Sequence, residues 1–330
     1  MNISVSIKKV ANKSGVSTAT VSHVINGTRF VKEETKQRVI QAMDELDYVP
    51  NHSARSLRSR KTTTIGLIIP DISNYFFTSV VKGIETVLQK NGYHLIVSNS
   101  NEDINTEIEQ LKLFNSQMVQ GVIIASSATD YSQLEPYIKK KVPTVFIDRE
   151  PNGNPHDFVS VDNKEGANNA VKYLQKIGHK RIGIITGIAA LSSSQERLEG
   201  YKEAMLEKGL SLNDNLIKSG NSKFNSGFNL ARELYEEDVT ALFIANNLMT
   251  IGAVTFFKEQ EINIPEEIAL IGFDDYEWAI ITDPPLSTIK QPSNEIGKKA
   301  AEILLKKIYD SNIKTVKYRF PTDIIIRESC

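Results

Sequence analysis

The sequence of 330 residues predicts an α/β fold in which a small helical N-terminal unit precedes two doubly wound parallel sheets. Three observations lead to this prediction. Short capped helical segments fill the first 50 residues, apolar runs alternate with amphipathic stretches from residue 65 onward, and the two parts carry opposite net charge. At about 150 residues per domain, the length is sufficient for about two domains.

The N-terminal segment predicts three helices. We expect Ser6 to cap the first helix, which ends before Gly15, and Ser17 to cap the second, which ends at Asn26-Gly27. Apolar side chains at helical spacing predict a third helix over about 33–46. A tight turn between the first two helices is typical of a helix-turn-helix, whose second helix contacts base edges in the major groove. A small helical bundle that binds protein is the alternative.

From residue 65 onward, apolar runs alternate with amphipathic stretches. The runs that predict strands are 65–69, 94–97, 121–124, 144–147, 182–185, 241–244 and 269–272. The stretches that predict helices include 75–91, 105–118, 164–177 and 196–208. This alternation favours parallel sheets with helices on both faces, and its extent indicates two sheets rather than one. Ligands of such folds bind at the carboxyl ends of the strands.

The near-neutral formal net charge of -1 conceals an uneven distribution. Residues 1–64 hold 11 Lys and Arg against 5 Asp and Glu, a net charge of +6. The remaining residues hold 28 against 35, a net charge of −7. A basic head on an acidic body often marks a nucleic-acid-binding module, and we expect its binding to depend strongly on salt.

Composition excludes several classes of protein. The single cysteine, Cys330, excludes a disulfide framework and a cysteine-based zinc site. No apolar run approaches the ~18 residues of a membrane span, and the first ten residues lack the apolar segment of a signal peptide, so we expect a cytoplasmic protein. GxGxxG, GxxxxGK followed by Ser or Thr, GxSxG and HExxH are all absent. We therefore expect neither an enzyme nor a bound cofactor or metal.

Several motifs occur together in a characteristic order. They are TVSHVINGTRFV (20–31), IDRE (147–150), QERLEGY (195–201), IGFDD (271–275) and PPLSTIKQP (284–292). With them the sequence resembles the LacI/GalR family of bacterial transcriptional repressors over essentially its whole length, and within it most nearly the ribose operon repressors. The resemblance implies a helix-turn-helix head plus hinge and a two-lobed, periplasmic-binding-protein-like core of doubly wound parallel sheets. It also implies a sequence-specific repressor whose operator affinity is controlled by a small sugar, a pentose such as ribose.

The resemblance divides the chain into three parts. We expect the DNA-binding head over 1–50, a hinge helix and linker over 51–64, and the effector-binding core over 65–330. Within the core, the N-lobe would comprise about 65–161 and 292–321. The C-lobe would comprise about 162–290 and 322–330.

The resemblance also assigns residues to DNA. Thr18, Ala19, His23 and Arg29 would contact bases, and a hinge leucine would wedge a base step in the minor groove. The full set expected at DNA is Ser17, Thr18, Ala19, Thr20, Ser22, His23, Asn26, Arg29, Tyr48, Ser53, Arg55, Leu57 and Arg58. The alternative for Leu57 is an exposed linker residue. Lys32 stands where the family often has a Ser or Thr cap, so we expect the third helix to start less firmly.

A second set of polar and aromatic residues adjoins the predicted strands of both lobes. The expected effector-binding residues are Asn74, Phe76, Phe77, Asp148, Arg149, Arg197, Phe224, Asn246, Asp274 and Gln291. The resemblance implies that aromatic rings sandwich a sugar ring whose hydroxyls bond to the polar groups, and Phe224 and Gln291 favour a pentose over a purine. Taken singly, the phenylalanines could be core, Asp148-Arg149 a solvated loop pair, and Asp274-Asp275 helix caps. Asn247 and Tyr75 depart from the family's usual Asp and Pro.

We expect a homodimer on a pseudo-palindromic operator, because helix-turn-helix heads usually bind as two-fold dimers. Candidate dimer surfaces are the stretch starting at Phe76 and that around Leu111–Met118. The chain ends in IIIRESC without a leucine heptad, so no tetramer is expected. The sugar is expected to release the operator. One alternative is a catabolite-control-type regulator activated by a phosphorylated carrier protein, and another is an enzyme on the same two-lobed fold, for which no nucleophile–base pair is apparent.

Overall fold

The computed structural model describes residues 6–48 and 62–330. The chain divides into two compact units, Met1–Thr62 and Thr63–Cys330. Within the described ranges, no helix is both long enough and apolar enough to cross a membrane.

Three helices form the first unit: α1 Ile7–Ser14, α2 Thr18–Asn26 and α3 Glu33–Glu45. The prediction for α2 is confirmed, because the Ser17 hydroxyl accepts a hydrogen bond from Thr20 N at 3.1 Å. The predicted cap of α1 is wrong in one respect: Ser6 occupies the N-cap position, but its side chain makes no capping hydrogen bond. Gly15 and Gly27 end α1 and α2 with φ of 68° and 60°, a left-handed conformation that glycine adopts without steric cost.

The three helices enclose a small apolar core. Its buried members are Val10, Ala11, Val21, Val39 and Ala42. Val24 and Ile25 pack against it from α2. Lys32 provides no side-chain cap to α3, in keeping with its departure from the usual cap residue.

The second unit contains two six-stranded sheets, as predicted. The first has the order β11-β5-β4-β3-β1-β2 and is parallel throughout. Its strands are β1 Thr64–Ile69, β2 His94–Asn99, β3 Gly121–Ile124, β4 Thr144–Ile147, β5 Asp157–Val161 and β11 Lys317–Phe320. The helices that accompany it are α4 Tyr75–Lys90, α5 Ile104–Ser116 and α11 Ser293–Tyr309.

The second sheet has the matching order β12-β10-β9-β8-β6-β7. Its strands are β6 Ile182–Thr186, β7 Ile217–Ser219, β8 Ala241–Ile244, β9 Ala269–Phe273, β10 Ser287–Lys290 and β12 Asp323–Ile325. Only β12 runs antiparallel to its neighbour among these strands. The associated helices are α6 Asn163–Lys176, α7 Ser192–Glu207, α8 Phe224–Tyr235, α9 Asn247–Glu259 and α10 Trp278–Ile281. We refer to the first sheet with its helices as the N-lobe and to the second as the C-lobe.

All seven predicted strands form, but five further strands were not predicted. These are β5, β7, β10, β11 and β12, which lie toward the edges of the two sheets. Their sequences, such as STIK and KYRF, mix polar and apolar residues over only three to five positions, so no apolar run identifies them. The chain passes from one lobe to the other after β5, after β10 and after β11.

Parts of the two expected dimer surfaces belong to the core instead. Phe76 and Leu111 are buried inside the N-lobe, because α4 and α5 pack their apolar faces on the first sheet. Leu113 and Met118 of the second stretch are exposed, as is Tyr75, which directly precedes the first.

Pairs of helices approach each other so closely that only glycine fits at the contact. A Cβ on Gly227 of α8 would lie 2.0 Å from the carbonyl oxygen of Met249 in α9. Reciprocally, a Cβ on Gly252 of α9 would lie 2.1 Å from the carbonyl oxygen of Phe224 in α8. Both distances are far below van der Waals contact, and the atoms belong to backbone, which cannot move aside independently. The packing of α8 on α9 therefore depends on these glycines.

We predict that Gly227→Ala lowers the free energy of unfolding by about 1–3 kcal/mol, the usual effect of overpacking a core. Urea and thermal unfolding measure the change. Gly92→Asn is the matched control, since Gly92 has φ of 73° with no described atom within 4 Å of a Cβ, and asparagine tolerates this conformation. Equal stability of Gly227→Ala and the native chain would contradict the role assigned to this contact.

Candidate functional site

A cavity between the two lobes gathers the predicted effector-binding residues. Its lining residues are Asn74, Phe76, Phe77, Asp148, Arg149, Gly187, Ser193, Ser194, Arg197, Ser222, Ala245, Asn246, Asp274 and Gln291. The space that they enclose is small, about 30 Å³. Every predicted effector residue except Phe224 lies on this cavity. Their role in binding stays a prediction.

Two aspartates occupy corresponding positions in the two lobes. Asp148 directly follows β4 and Asp274 directly follows β9, and these strands hold the same place in their sheets. Both residues have a positive φ, 62° and 82° respectively. This conformation is uncommon outside glycine, and where it persists at a ligand site the surrounding fold holds it. Here a backbone hydrogen bond holds each turn, from Asp148 N to Val159 O at 3.1 Å and from Asp274 N to Ile289 O at 2.8 Å.

Arg149 is the cation of the N-lobe side of the cavity. Its Nη1 and Nη2 donate to the two carboxylate oxygens of Glu102 at 2.5 and 2.8 Å. Its Nε lies 3.2 Å from Asp148 Oδ2. Burial is the largest single influence and lowers the pKa of Arg149, but the charge of Glu102, its hydrogen bonds and the charges of Asp148 and Glu107 together outweigh burial and raise that pKa above its ordinary value.

Glu102 was not predicted as part of the site. It lies in the loop between β2 and α5, at the carboxyl end of a predicted strand, and this position was the one available signal. Its partner Arg149 is 47 residues away in the sequence, so their pairing depends on the adjacency of the folded strands.

Arg197 is the cation of the C-lobe side. Its Nε donates to Asn163 Oδ1 and its Nη1 to Ala245 O, both at 2.8 Å. The guanidinium carbon lies 3.6 Å from the centre of the Phe273 ring, a cation–π arrangement. Burial lowers the pKa of Arg197, while the charge of Asp274 opposes that change.

Asp274 is the carboxylate that faces Arg197. It accepts a hydrogen bond from Gln291 Nε2 at 2.6 Å. Burial raises the pKa of Asp274 to about 6, against the opposing charge of Arg197.

The proposed solvated-loop role of Asp148-Arg149 is wrong, since both residues are only 7% exposed. The helix-cap role of Asp274-Asp275 is also wrong, because Asp275 pairs with Arg327 at 2.6 Å and the next helix starts at Trp278.

The two phenylalanines serve the core and the cavity at once. Phe76 and Phe77 are each 3% exposed, their rings meet edge to face at 5.0 Å, and both line the cavity. Asn74 positions them, because its side chain caps α4 by accepting from Phe76 N at 3.0 Å.

Phe224 is the exception among the predicted residues. It begins α8, its backbone packs against Gly252, and it is 38% exposed and not among the residues that line the cavity.

Both departures from the family pattern fall where the lobes meet. Asn247 is fully buried, and its Nδ2 donates to Asn74 Oδ1 of the opposite lobe at 3.2 Å. The ring of Tyr75 in α4 lies 5.7 Å from that of Tyr276 in the C-lobe segment after β9. Both contacts join the two lobes beside the cavity. Neither Tyr75 nor Asn247 is among the residues that line the cavity.

The predicted DNA-contacting residues of the first unit lie on and around α2. The exposed ones are Ser17, Thr18, Ala19 and Arg29. Thr20, Ser22 and His23 are half-buried. Tyr48 packs against the core of this unit.

Hydrogen bonds orient two of these side chains. Asn26 Nδ2 donates to the carbonyl oxygen of Ser22 at 2.7 Å and to its hydroxyl at 3.0 Å. His23 Nδ1 lies 2.8 Å from the Thr28 hydroxyl. The predicted hinge residues lie outside the described part of the chain: Ser53, Arg55, Leu57 and Arg58.

Behind the cavity lies a buried carboxyl group that was also not predicted. Glu107 is 0% exposed, and it accepts hydrogen bonds from Ser126 Oγ at 2.6 Å and Ser127 N at 2.7 Å. Burial raises the pKa of Glu107 to about 7, although these hydrogen bonds and the charge of Arg149 oppose the rise.

Two family descriptions match the chain. "Bacterial regulatory proteins, lacI family" matches residues 6–51, and "Periplasmic binding proteins and sugar binding domain of LacI family" matches residues 62–328. The HTH-type transcriptional repressor PurR of Photobacterium profundum is 34% identical over 326 residues, which cover 98% of both chains.

Solved structures of the same kind are similar over long stretches. The lac repressor dimer bound to operator and the anti-inducer ONPF is 25% identical with a TM-score of 0.86, over 98% of both chains. A putative ribose operon repressor from Burkholderia thailandensis is 30% identical with a TM-score of 0.74, over 80% of this chain and 99% of that one.

We predict that the second unit loses stability as the pH rises from about 4.5 to about 7, partly through Glu107. Its folded-state pKa of about 7 lies above the ordinary 4.5, so the folded state binds the proton more tightly and this stabilisation is lost as Glu107 ionises. The shift corresponds to roughly 3 kcal/mol. Thermal unfolding across this range should therefore show a flatter pH profile for Glu107→Gln.

Glu109→Gln is the control, because Glu109 lies on the same helix but is exposed. Parallel pH profiles for the native chain and Glu107→Gln would contradict the prediction.

Proposed function

Because the chain belongs to the LacI family of bacterial regulatory proteins, we propose that a small sugar, a pentose such as ribose, binds between its lobes and controls its affinity for an operator. The chain is a DNA-binding transcriptional repressor with a sugar-binding type of core, and not an enzyme. What we propose is the identity of the effector and whether it raises or lowers operator affinity.

One observation carries the proposal: a carboxylate and a guanidinium from each lobe converge, buried, on one cavity. The pairs are Asp148 with Arg149 and Asp274 with Arg197. Carboxylates accept hydrogen bonds from sugar hydroxyls, guanidinium groups donate to them, and aromatic faces such as that of Phe76 pack against C–H surfaces. A small polyhydroxylated ring satisfies both kinds of group at once.

The size of the cavity also favours a small ligand. About 30 Å³ is far less than the roughly 300 Å³ at which ordinary ligand pockets begin. A ligand therefore displaces contacts that the lining residues make with each other, such as that between Gln291 and Asp274, and the lobes move apart to admit it. A monosaccharide requires the least opening among sugars.

A purine is the second candidate. Relatives named transcriptional repressor PurR, 34% and 35% identical over 98% of this chain, favour a purine-type effector. Phe224 was one of two residues that favoured a pentose, and because it is not among the residues that line the cavity it adds no support here. Gln291 lies on the cavity and remains in support of a pentose.

We propose that the ligand controls DNA binding through contacts that join the lobes. Besides Asn247 with Asn74, the Arg319 guanidinium of β11 pairs with both carboxylate oxygens of Glu196 in α7, at 2.7 and 2.8 Å. A ligand held by both lobes changes the balance between lobe arrangements by its difference in affinity for them and by no more. We infer that this change disfavours simultaneous binding of both heads of a dimer to the operator and lowers operator affinity.

At the DNA, we propose that the exposed start of α2 contacts bases in the major groove, through Thr18, Ala19 and the neighbouring His23. Arg29 has the fork geometry that pairs with guanine. Asn26, held by its hydrogen bonds to Ser22, would contact a backbone phosphate and fix the register of the head.

Calorimetric titration of the full-length protein tests the effector. We predict saturable binding of D-ribose, and a loss of about tenfold or more in affinity for Asp274→Asn, because a hydrogen bond to a charged group becomes one to a neutral group. Asp275→Asn is the matched control, since this neighbouring carboxylate pairs with Arg327 and does not line the cavity.

Three results would contradict the pentose. Binding of hypoxanthine without binding of any pentose would identify a purine effector. Binding only of a phosphorylated carrier protein would favour the catabolite-control alternative. Equal losses in Asp274→Asn and Asp275→Asn would place the ligand elsewhere.

A further inference from the structure

Glu102 places a third carboxylate beside a cavity that otherwise contains equal numbers of opposite charges. Asp148 and Asp274 balance Arg149 and Arg197, and all four residues are 4–7% exposed. The Glu102 side chain is 13% exposed and binds Arg149 through both of its oxygens. Among these five side chains, formal negative charge therefore exceeds positive charge by one.

The pairing with Glu102 occupies the face of Arg149 that an anion would use. A phosphate binds a guanidinium most strongly through two parallel N–H groups. Glu102 already receives one N–H from each terminal nitrogen of Arg149. Each of these nitrogens carries a second N–H, which can still donate to an uncharged hydroxyl. The arginine thus keeps hydrogen-bonding capacity while its charge is compensated.

The loop that carries Glu102 holds an unusual backbone conformation. Asn101 and Glu102 have φ of 56° and 62°, two consecutive left-handed residues without glycine. The loop is fastened on both sides: Asn99 Nδ2 donates to Asn101 Oδ1 at 2.5 Å, and Asp103 caps α5 by accepting from Thr106 N at 3.2 Å. A strained conformation that its neighbours enforce is common at ligand sites.

We propose that Glu102 is a specificity-determining residue that restricts this cavity to uncharged effectors and excludes phosphorylated ones, such as sugar phosphates and nucleotides. The inference rests on the proposed function only in that the cavity is the effector site. It holds for a pentose and for a purine base alike. Glu102 acts through Arg149 and through its own charge, so it is a positioning residue for Arg149.

The test compares D-ribose 5-phosphate and inorganic phosphate as probes on full-length proteins. Glu102→Gln keeps the shape of the side chain and removes its charge, which unpairs the guanidinium of Arg149. We expect D-ribose 5-phosphate to bind Glu102→Gln at least about tenfold more tightly than the native chain, since like charge in a buried site opposes an anion. Glu102→Asp retains the charge and tolerates the left-handed backbone, so it should keep the native exclusion of phosphate.

Glu203→Gln is the matched control for net charge. Glu203 pairs with Lys164 at 3.2 Å on the exposed surface of the C-lobe, away from the cavity lining, and its variant should bind the phosphate probes as weakly as the native chain. Thermal unfolding of all variants verifies that each is folded, and an unfolded Glu102→Gln leaves Glu102→Ala with the same expected gain.

The inference is overturned if the native chain binds D-ribose 5-phosphate as tightly as D-ribose, or if removing the Glu102 charge gives no gain. It is also overturned if Glu102→Asp and Glu102→Gln gain equally, because charge would then be irrelevant. A gain for the phosphate probe without any binding of uncharged D-ribose would support this role of Glu102 and contradict the pentose effector. The two proposals can therefore fail independently.

Discussion

The burial of charge between the lobes is the constraint on which the rest of the structure depends. An unpaired charge in a dry interior costs several kcal/mol, so each buried guanidinium needs a partner. Arg149 has Glu102, and Arg197 has Asn163, a backbone carbonyl and the ring of Phe273. These partners come from different strand ends and helices. The parallel sheets, which bring strand ends to one edge, are what make the arrangement possible.

The charged groups of the site come from both lobes. Ligand binding at the site is therefore coupled to the arrangement of the two lobes. Asp148 and Asp274 stand at corresponding strand ends, and contacts such as that of Asn247 with Asn74 lie at the rim of their cavity. A ligand that takes over hydrogen bonds from both lobes changes the free energy of one lobe arrangement relative to another. Closely packed helix pairs, such as α8 on α9 at Gly227 and Gly252, fix the positions of helices within a lobe.

The sequence predicts those features that are local or repeated along one segment. Strands with unbroken apolar runs, such as β1 and β8, and the cap at Ser17 were predicted correctly, because neighbouring residues determine them. Nine of the ten predicted effector residues line the cavity, as their positions beside strand ends and helix starts indicate, whereas five further lining residues were not predicted: Gly187, Ser193, Ser194, Ser222 and Ala245. Phe224 is absent from the cavity lining and Glu102 was missed, because their placement depends on tertiary packing: Phe224 begins α8 and is 38% exposed, and a left-handed loop brings Glu102 to Arg149. The short mixed edge strands were missed for the same reason.

We propose that occupation of the cavity lowers the affinity of the protein for DNA. Fluorescence anisotropy measures it directly, with the full-length protein and a pseudo-palindromic operator that the protein itself selects from a random library. Saturating D-ribose should weaken operator binding by about 5–150-fold, the range of coupling between sites in allosteric proteins. Unchanged or tighter operator binding at saturating D-ribose would contradict the account.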